Sequence, residues 1–160
     1  MGAPMTTLPV YFAYGSNLDP GQMSARCPGH RVLCRAILPD HALVFRGHSK
    51  RWGGAVATVE HAPGSMVHGV VFEMTPEDYA SLDRHEGFEG PQHPDNFYDR
   101  VRRTVQIEIH EPLEVETYVM RPRPAGLPSR AYRWAIVTGM RAHSLAAAAI
   151  AAVESTPVCD

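Results

Sequence analysis

Two features of this 160-residue chain are equipped for chemistry: a carboxylate, Glu86, and a turn, Gly15-Ser16-Asn17, that closes the apolar run Val10-Tyr11-Phe12-Ala13-Tyr14. Thr75-Pro76-Glu77-Asp78 is a helix start, with Thr75 suited to the N-cap, Pro76 to the first helical position, and two acids against the positive helix end. Counting on, Tyr79, Leu82 and Glu86 fall at i, i+3 and i+7 on one stripe, and Gly87 ends the helix. Glu86 is therefore expected to point inward. An acid on the apolar face at the negatively polarised end of a helix holds its proton tightly, because both the dipole and desolvation disfavour its charge. It then titrates nearer neutrality, as a general base and acid must. On spacing alone, a carboxylate frayed into solvent fits as well, and that is the expectation for Asp83 and Arg84 beside it.

The turn has the opposite electrostatic character. Gly15 can take positive φ at no steric cost, and Ser16 and Asn17 can fold their side chains onto nearby backbone, so that N–H groups curl around a small anion such as a carboxylate. Asp19-Pro20 then predicts a short helix over Pro20 to Arg26, with Asp19 as N-cap. A strand, a glycine turn and a capped helix also finish the edge of many ordinary α/β domains.

The elements that must position these groups are mainly strands: Val10 to Tyr14, Arg31 to Leu38, Ala42 to Phe45, Ala55 to Glu60, Val67 to Glu73, Val101 to Ile109 and Val115 to Met120. Several alternate with period two, as a half-solvated antiparallel or mixed sheet requires. Helices are expected at Pro20 to Arg26, Pro76 to His85, Arg130 to His143 and Leu145 to Val153. Strands outnumber helices without a βαβ rhythm, which predicts an α+β fold built on a curved sheet or barrel. The length allows one core. Residues 10–155 are read as a single domain, with 1–9 a flexible N-terminus and 156–160 a tail.

Composition excludes more than it selects. A net charge of −2, from 15 basic and 17 acidic residues, gives no overall attraction to nucleic acid or to an anionic membrane. No stretch approaches ~20 apolar residues, so no membrane span is expected. Cys27, Cys34 and Cys159 match neither a zinc pair nor a redox CxxC spacing and point to a reduced, cytoplasmic protein. The nine histidines show no HxH or HxxxH pairing, so no metal site and no cofactor are predicted.

Taken together, Tyr11-Phe12-Ala13-Tyr14-Gly15-Ser16-Asn17-Leu18, Trp52-Gly53-Gly54-Ala55-Val56-Ala57-Thr58, Gly69-Val70-Val71-Phe72 and Ser81-Leu82-Asp83-Arg84-His85-Glu86-Gly87 resemble the γ-glutamylcyclotransferase (AIG2-like) family, in order and spacing, from about Val10 to Glu154. Pro128-Ser129-Arg130-Ala131-Tyr132 and Thr138-Gly139-Met140 resemble its C-terminal helix entry. The resemblance implies a mixed, mostly antiparallel β-barrel with flanking helices, in which the turn and Glu86 meet in one cavity. It implies a substrate-binding loop over Tyr11, Phe12, Ala13, Tyr14, Gly15 and Ser16, with Asn17 nearby. Glu86 would be the catalytic acid and base, with Tyr98 and Tyr132 in the pocket. It also implies a small-molecule γ-glutamyl substrate releasing 5-oxoproline without metal or cofactor, and it is the sole ground for expecting a homodimer.

The link Phe88 to Phe97 is longer and richer in proline than the resemblance leads one to expect. Such a loop can cover the leaving-group side, which keeps open a γ-glutamyl amino acid, a γ-glutamylamine, an isopeptide or a carrier-linked γ-glutamyl group. The glutathione-specific branch fits less well, since its opening resembles GYGSL. Glu89 and His93 in the loop read as solvated residues or as further participants. A non-catalytic small-molecule binding module is the alternative of a different class.

Overall fold

The computed structural model describes residues 9–108 and 112–160. Most of the expected flexible N-terminus, and the end of the strand expected to reach Ile109, lie outside the described residues. Five strands form one sheet in the order β2-β3-β1-β5-β4, where β1 is Tyr11–Ala13, β2 Arg31–Ser49, β3 Gly54–Glu73, β4 Tyr98–Val105 and β5 Leu113–Met120. Every pairing is antiparallel except that of β1 with β5. The short β1 is thus the central strand. The chain leaves its end directly into a 3-10 turn, Ser16–Leu18, and helix α1, Pro20–Arg26.

Two differences from the sequence reading have physical causes. The segments expected as Arg31 to Leu38 and Ala42 to Phe45 are one continuous strand, and so are those expected around Ala55 and Val67. Pro39, which cannot donate to a ladder, and Asp40, at φ 56°, are absorbed in a register shift between Pro39 and His41 instead of breaking the strand. The second difference is a correction. The α+β class and the mixed, mostly antiparallel sheet hold, but the sheet does not close into a barrel. The edge strands β2 and β4 touch at a single bridge, Ile37 with Gln106, through reciprocal backbone bonds of 2.9 and 2.7 Å. Gln106 lies one residue beyond the end of β4, and no ladder joins β2 to β4 among the described residues.

The helices pin the site from both sides. In α2, Pro76–Glu86, Thr75 and Asp78 form a reciprocal capping box, and Gly87 ends the helix in the left-handed conformation at φ 66°. Ser129 caps α3, Arg130–Ala142, by accepting from the Tyr132 N–H. Asp19 stands at the N-cap of α1 as expected, though its side chain makes no capping bond among the described residues. The last helix, α4, is Ala147–Glu154. The core between sheet and helices holds Phe12, Leu18, Met23, Phe72, Leu82 and Ile136, all essentially inaccessible. None of the described helices is long and apolar enough to cross a membrane.

α3 packs in backbone contact with the 3-10 turn. A side-chain carbon on Gly139 would lie 2.3 Å from the Leu18 carbonyl carbon and 2.4 Å from the Asp19 nitrogen, both backbone atoms unable to swing away. Gly139→Ala is expected to cost about 2–3 kcal/mol by overpacking, read as a lowered urea midpoint. Because the strain falls on the turn carrying Asn17, binding at the site should weaken along with stability.

Candidate active site

One cavity of about 340 Å³ opens where the end of β1, the C-terminus of α2, the tip of the β2–β3 hairpin and the start of α3 converge. Asn17 and Glu86, 69 positions apart, meet there, with the Asn17 amide donating to Glu86 Oε1 at 2.9 Å. The same nitrogen donates to the Tyr11 hydroxyl at 3.0 Å, while the Asn17 carbonyl oxygen accepts from Gln22 and from Arg26 Nη1, both at 3.0 Å. Every polar atom of this buried side chain is thereby engaged, which fixes its amide orientation and aims its donor at the carboxylate.

Glu86 points inward, as its helical spacing predicts. The residue keeps some accessibility because it lines the cavity, but its carboxylate stands among tyrosine rings and its pKa is pushed up to about 7. Burial is the main cause. Arg26 and the Asn17 amide pull the other way, and Asp83 adds a smaller upward push. Asp83, expected in solvent, instead pairs with Arg100 Nη1 at 2.7 Å and accepts from the Tyr118 hydroxyl at 2.5 Å. Burial and then Glu86 raise the phenols of Tyr11 and Tyr14, keeping both protonated.

Of the residues expected in the site, Tyr11, Tyr14, Gly15, Ser16, Asn17, Glu86, Tyr98 and Tyr132 line the cavity. Phe12 and Ala13 do not; both are fully buried in the core beneath it. Gly15 does not take the expected positive φ, standing at −116°, and its contribution is room. A side-chain carbon there would sit 3.6 Å from both the Tyr132 oxygen and Ala57 Cβ, taking up part of the cavity. Tyr98 and Tyr132 clamp one peptide unit each side of Ala57, as Tyr98 donates to its carbonyl at 2.6 Å and Tyr132 accepts from its N–H at 2.9 Å. The Tyr14 hydroxyl donates to the Tyr118 carbonyl.

Gln22, Arg26 and Tyr118 were missed by sequence reasoning. Gln22 and Arg26 are spaced i, i+4 on α1, and Arg26 is i+3 from the buried Met23, so helical periodicity could have placed both on the inner face. Nothing in the local sequence marks Tyr118. In the Phe88 to Phe97 loop, Phe97 alone lines the cavity. Glu89 and His93 pair outside it at 3.1 Å, with Asp95 close by. The loop is held by buried Asn96, which accepts from the Glu89 N–H and donates to the Gly90 carbonyl. Cys27, buried with its thiol pushed up to about 12 by desolvation, is unsuited to nucleophilic work.

A walled cavity holding one carboxylate of raised pKa beside a turn of polar backbone has the shape of a small-molecule site and a group suited to proton transfer. Comparison with known proteins is consistent with that class. The sequence matches the family "Gamma-glutamyl cyclotransferase, AIG2-like" over residues 11–139. It is 31% identical over 140 residues to the Gamma-glutamylcyclotransferases of Mus musculus and Homo sapiens, covering 85% of this chain and 72% of each relative. A solved structure described as a Gamma-glutamyl cyclotransferase superposes with a TM-score of 0.87 at 28% identity, over 95% of this chain and 89% of that one. The chain belongs to the γ-glutamyl cyclotransferase, AIG2-like family.

The raised pKa of Glu86 links to stability. A carboxyl at about 7 when folded and about 4.5 when unfolded contributes stability that is fully present below pH 4.5 and lost as pH rises through 7. Glu86→Gln carries no such charge. Relative to the wild type, the variant should gain on the order of 2 kcal/mol between pH 4.5 and pH 8, discounted for the open side of the cavity. Paired urea titrations across that range measure the difference, and a gap independent of pH would contradict the burial argument.

Proposed function

We propose that this chain is a γ-glutamylcyclotransferase, converting a γ-glutamyl amide into 5-oxoproline and a free amine with Glu86 as the proton carrier. The observation that carries the reading is the 2.9 Å contact between Asn17 and Glu86, which sets a proton acceptor beside the opening of the 3-10 turn. The family membership of the chain supports the reaction class.

In a γ-glutamyl amide the α-amine can reach the γ-carbonyl of its own chain and close a five-membered ring. The protein then has to hold the substrate folded and move protons. The N–H groups opening the 3-10 turn hold the α-carboxylate. Glu86 in its ionised form takes a proton from the α-ammonium, and the freed amine attacks the γ-carbonyl carbon. The developing oxyanion is met by turn N–H groups or by a wall hydroxyl, for which Tyr132 is well placed beside Gly15. The new C–N bond forms to give a tetrahedral oxyanion, and collapse of that oxyanion breaks the old C–N bond. Two protons leave the α-ammonium in all, and both end on the departing nitrogen, carried in turn by Glu86. No water is consumed.

The tyrosine wall fits this role. Phenols held protonated by burial add no competing negative charge, leaving Glu86 the single carboxylate among the described residues lining the cavity. A 2.5 Å bond ties Tyr118 to Asp83, which holds the α2 C-terminus against β5.

Glu86→Gln keeps the shape and the acceptor oxygen facing Asn17 while removing proton transfer. Its turnover of a γ-glutamyl substrate, followed as 5-oxoproline, should fall about a thousandfold with KM changed only a few-fold. In the wild type, kcat/KM should decline below about pH 7 as Glu86 becomes protonated. Near wild-type turnover by the variant would eliminate this mechanism.

A further inference from the structure

The charge around the cavity is one-sided. Among the described residues lining it, Glu86 is the only carboxylate, against Arg26 in the depth and Lys50, Arg51 and Arg84 at the exposed mouth. The imbalance does not follow from composition, since the chain is net acidic and Lys50 is its only lysine. None of Lys50, Arg51 and Arg84 has an ion-pair partner among the described residues, while acidic partners are spent elsewhere on Arg31, Arg46, Arg100, Arg121 and Arg141.

These cations are built against the site. Lys50 and Arg51 occupy the turn joining β2 and β3, and the Arg51 guanidinium lies 5.4 Å over the Trp52 ring, which itself packs edge-on against Tyr132 at 5.1 Å. Arg51 is near enough for its charge to depress the pKa of Arg26. Arg84 approaches from the other wall, two positions before Glu86 on the last turn of α2.

A γ-glutamyl head group carries one ammonium and one carboxylate, so it neutralises none of this excess. An amine leaving group would leave all three rim cations unmatched, and the single carboxylate of a neutral amino acid would match one. Resting on the cyclotransferase reading, we propose that the rim formed by Lys50, Arg51 and Arg84 selects γ-glutamyl substrates whose leaving group bears two or more carboxylates, as in γ-glutamylglutamate or a longer γ-linked glutamate chain. The open mouth lets such a chain extend beyond the 340 Å³ of the cavity. The discrimination is electrostatic, so it weakens with salt, and it separates leaving groups of equal shape and different charge.

The test compares γ-glutamylglutamate with γ-glutamylglutamine, which differ at the leaving group by one carboxylate against an amide. Calorimetric binding to Glu86→Gln protein at low salt should favour γ-glutamylglutamate by about tenfold, and the preference should shrink toward unity near 1 M salt. The added triple change Lys50→Gln, Arg51→Gln, Arg84→Gln involves exposed side chains and should abolish the preference chiefly by weakening γ-glutamylglutamate. Arg84→Gln alone should reduce it in part, giving a readout independent of the hairpin turn. Equal affinities, or a preference unmoved by both variants, overturn the inference. Release of 5-oxoproline by the wild-type protein is measured on the same two compounds. Its absence from both would reject the catalytic reading while the binding ratio still decides the role of the rim.

Discussion

The site depends on one buried amide. Asn17 must be held with its nitrogen toward Glu86 and its oxygen toward Gln22 and Arg26, because a flipped side chain would set an oxygen against a carboxylate and a nitrogen against a guanidinium. Leaving such groups unpaired away from water costs more than any one of these bonds contributes. The 3-10 turn, α1 and the end of α2 are thereby joined through a single residue. Gly139 supplies the matching steric constraint, letting α3 come into backbone contact with that turn.

The network also settles the electrostatics of Glu86. Burial alone would hold the carboxyl protonated, and Arg26 and Asn17 bring it back to about 7, where it can exchange protons in either direction. Burial lowers the pKa of Arg26 in turn, and Glu86 offsets that only in part. A more enclosed carboxylate would be a poor proton acceptor at neutral pH, and a solvated one a poor proton donor.

Around that centre the sheet supplies walls in place of catalytic groups. Tyr98 from β4 and Tyr132 from α3 fix both polar backbone atoms of Ala57 on β3, so three elements far apart in sequence are registered at one residue. The hairpin of β2 and β3 is long enough to carry its basic tip to the cavity mouth, giving the site a buried zone of neutral phenols and a charged rim.

Much of this was legible along the chain, for physical reasons. The capping box at Thr75, the inward stripe Tyr79, Leu82, Glu86 and the stop at Gly87 are local consequences of helix geometry, and they placed the carboxylate correctly. So did the strand, turn and Pro20 helix start around Asn17. Local rules failed where longer-range pairing decided. Pro39-Asp40 looks like a strand break until β3 pairs on either side of it, and period-two alternation cannot say whether a curled sheet closes. Residue types and spacing by themselves therefore determined the inward face of α2, the turn after the first strand and the helix directions, since caps and periodicity act within a few residues. Only the tertiary structure decided that Asn17 meets Glu86, that Arg26 stands behind them, that Phe12 and Ala13 belong to the core and that Lys50, Arg51 and Arg84 stand together at the mouth. Each of those depends on desolvation and on contacts between segments tens of residues apart.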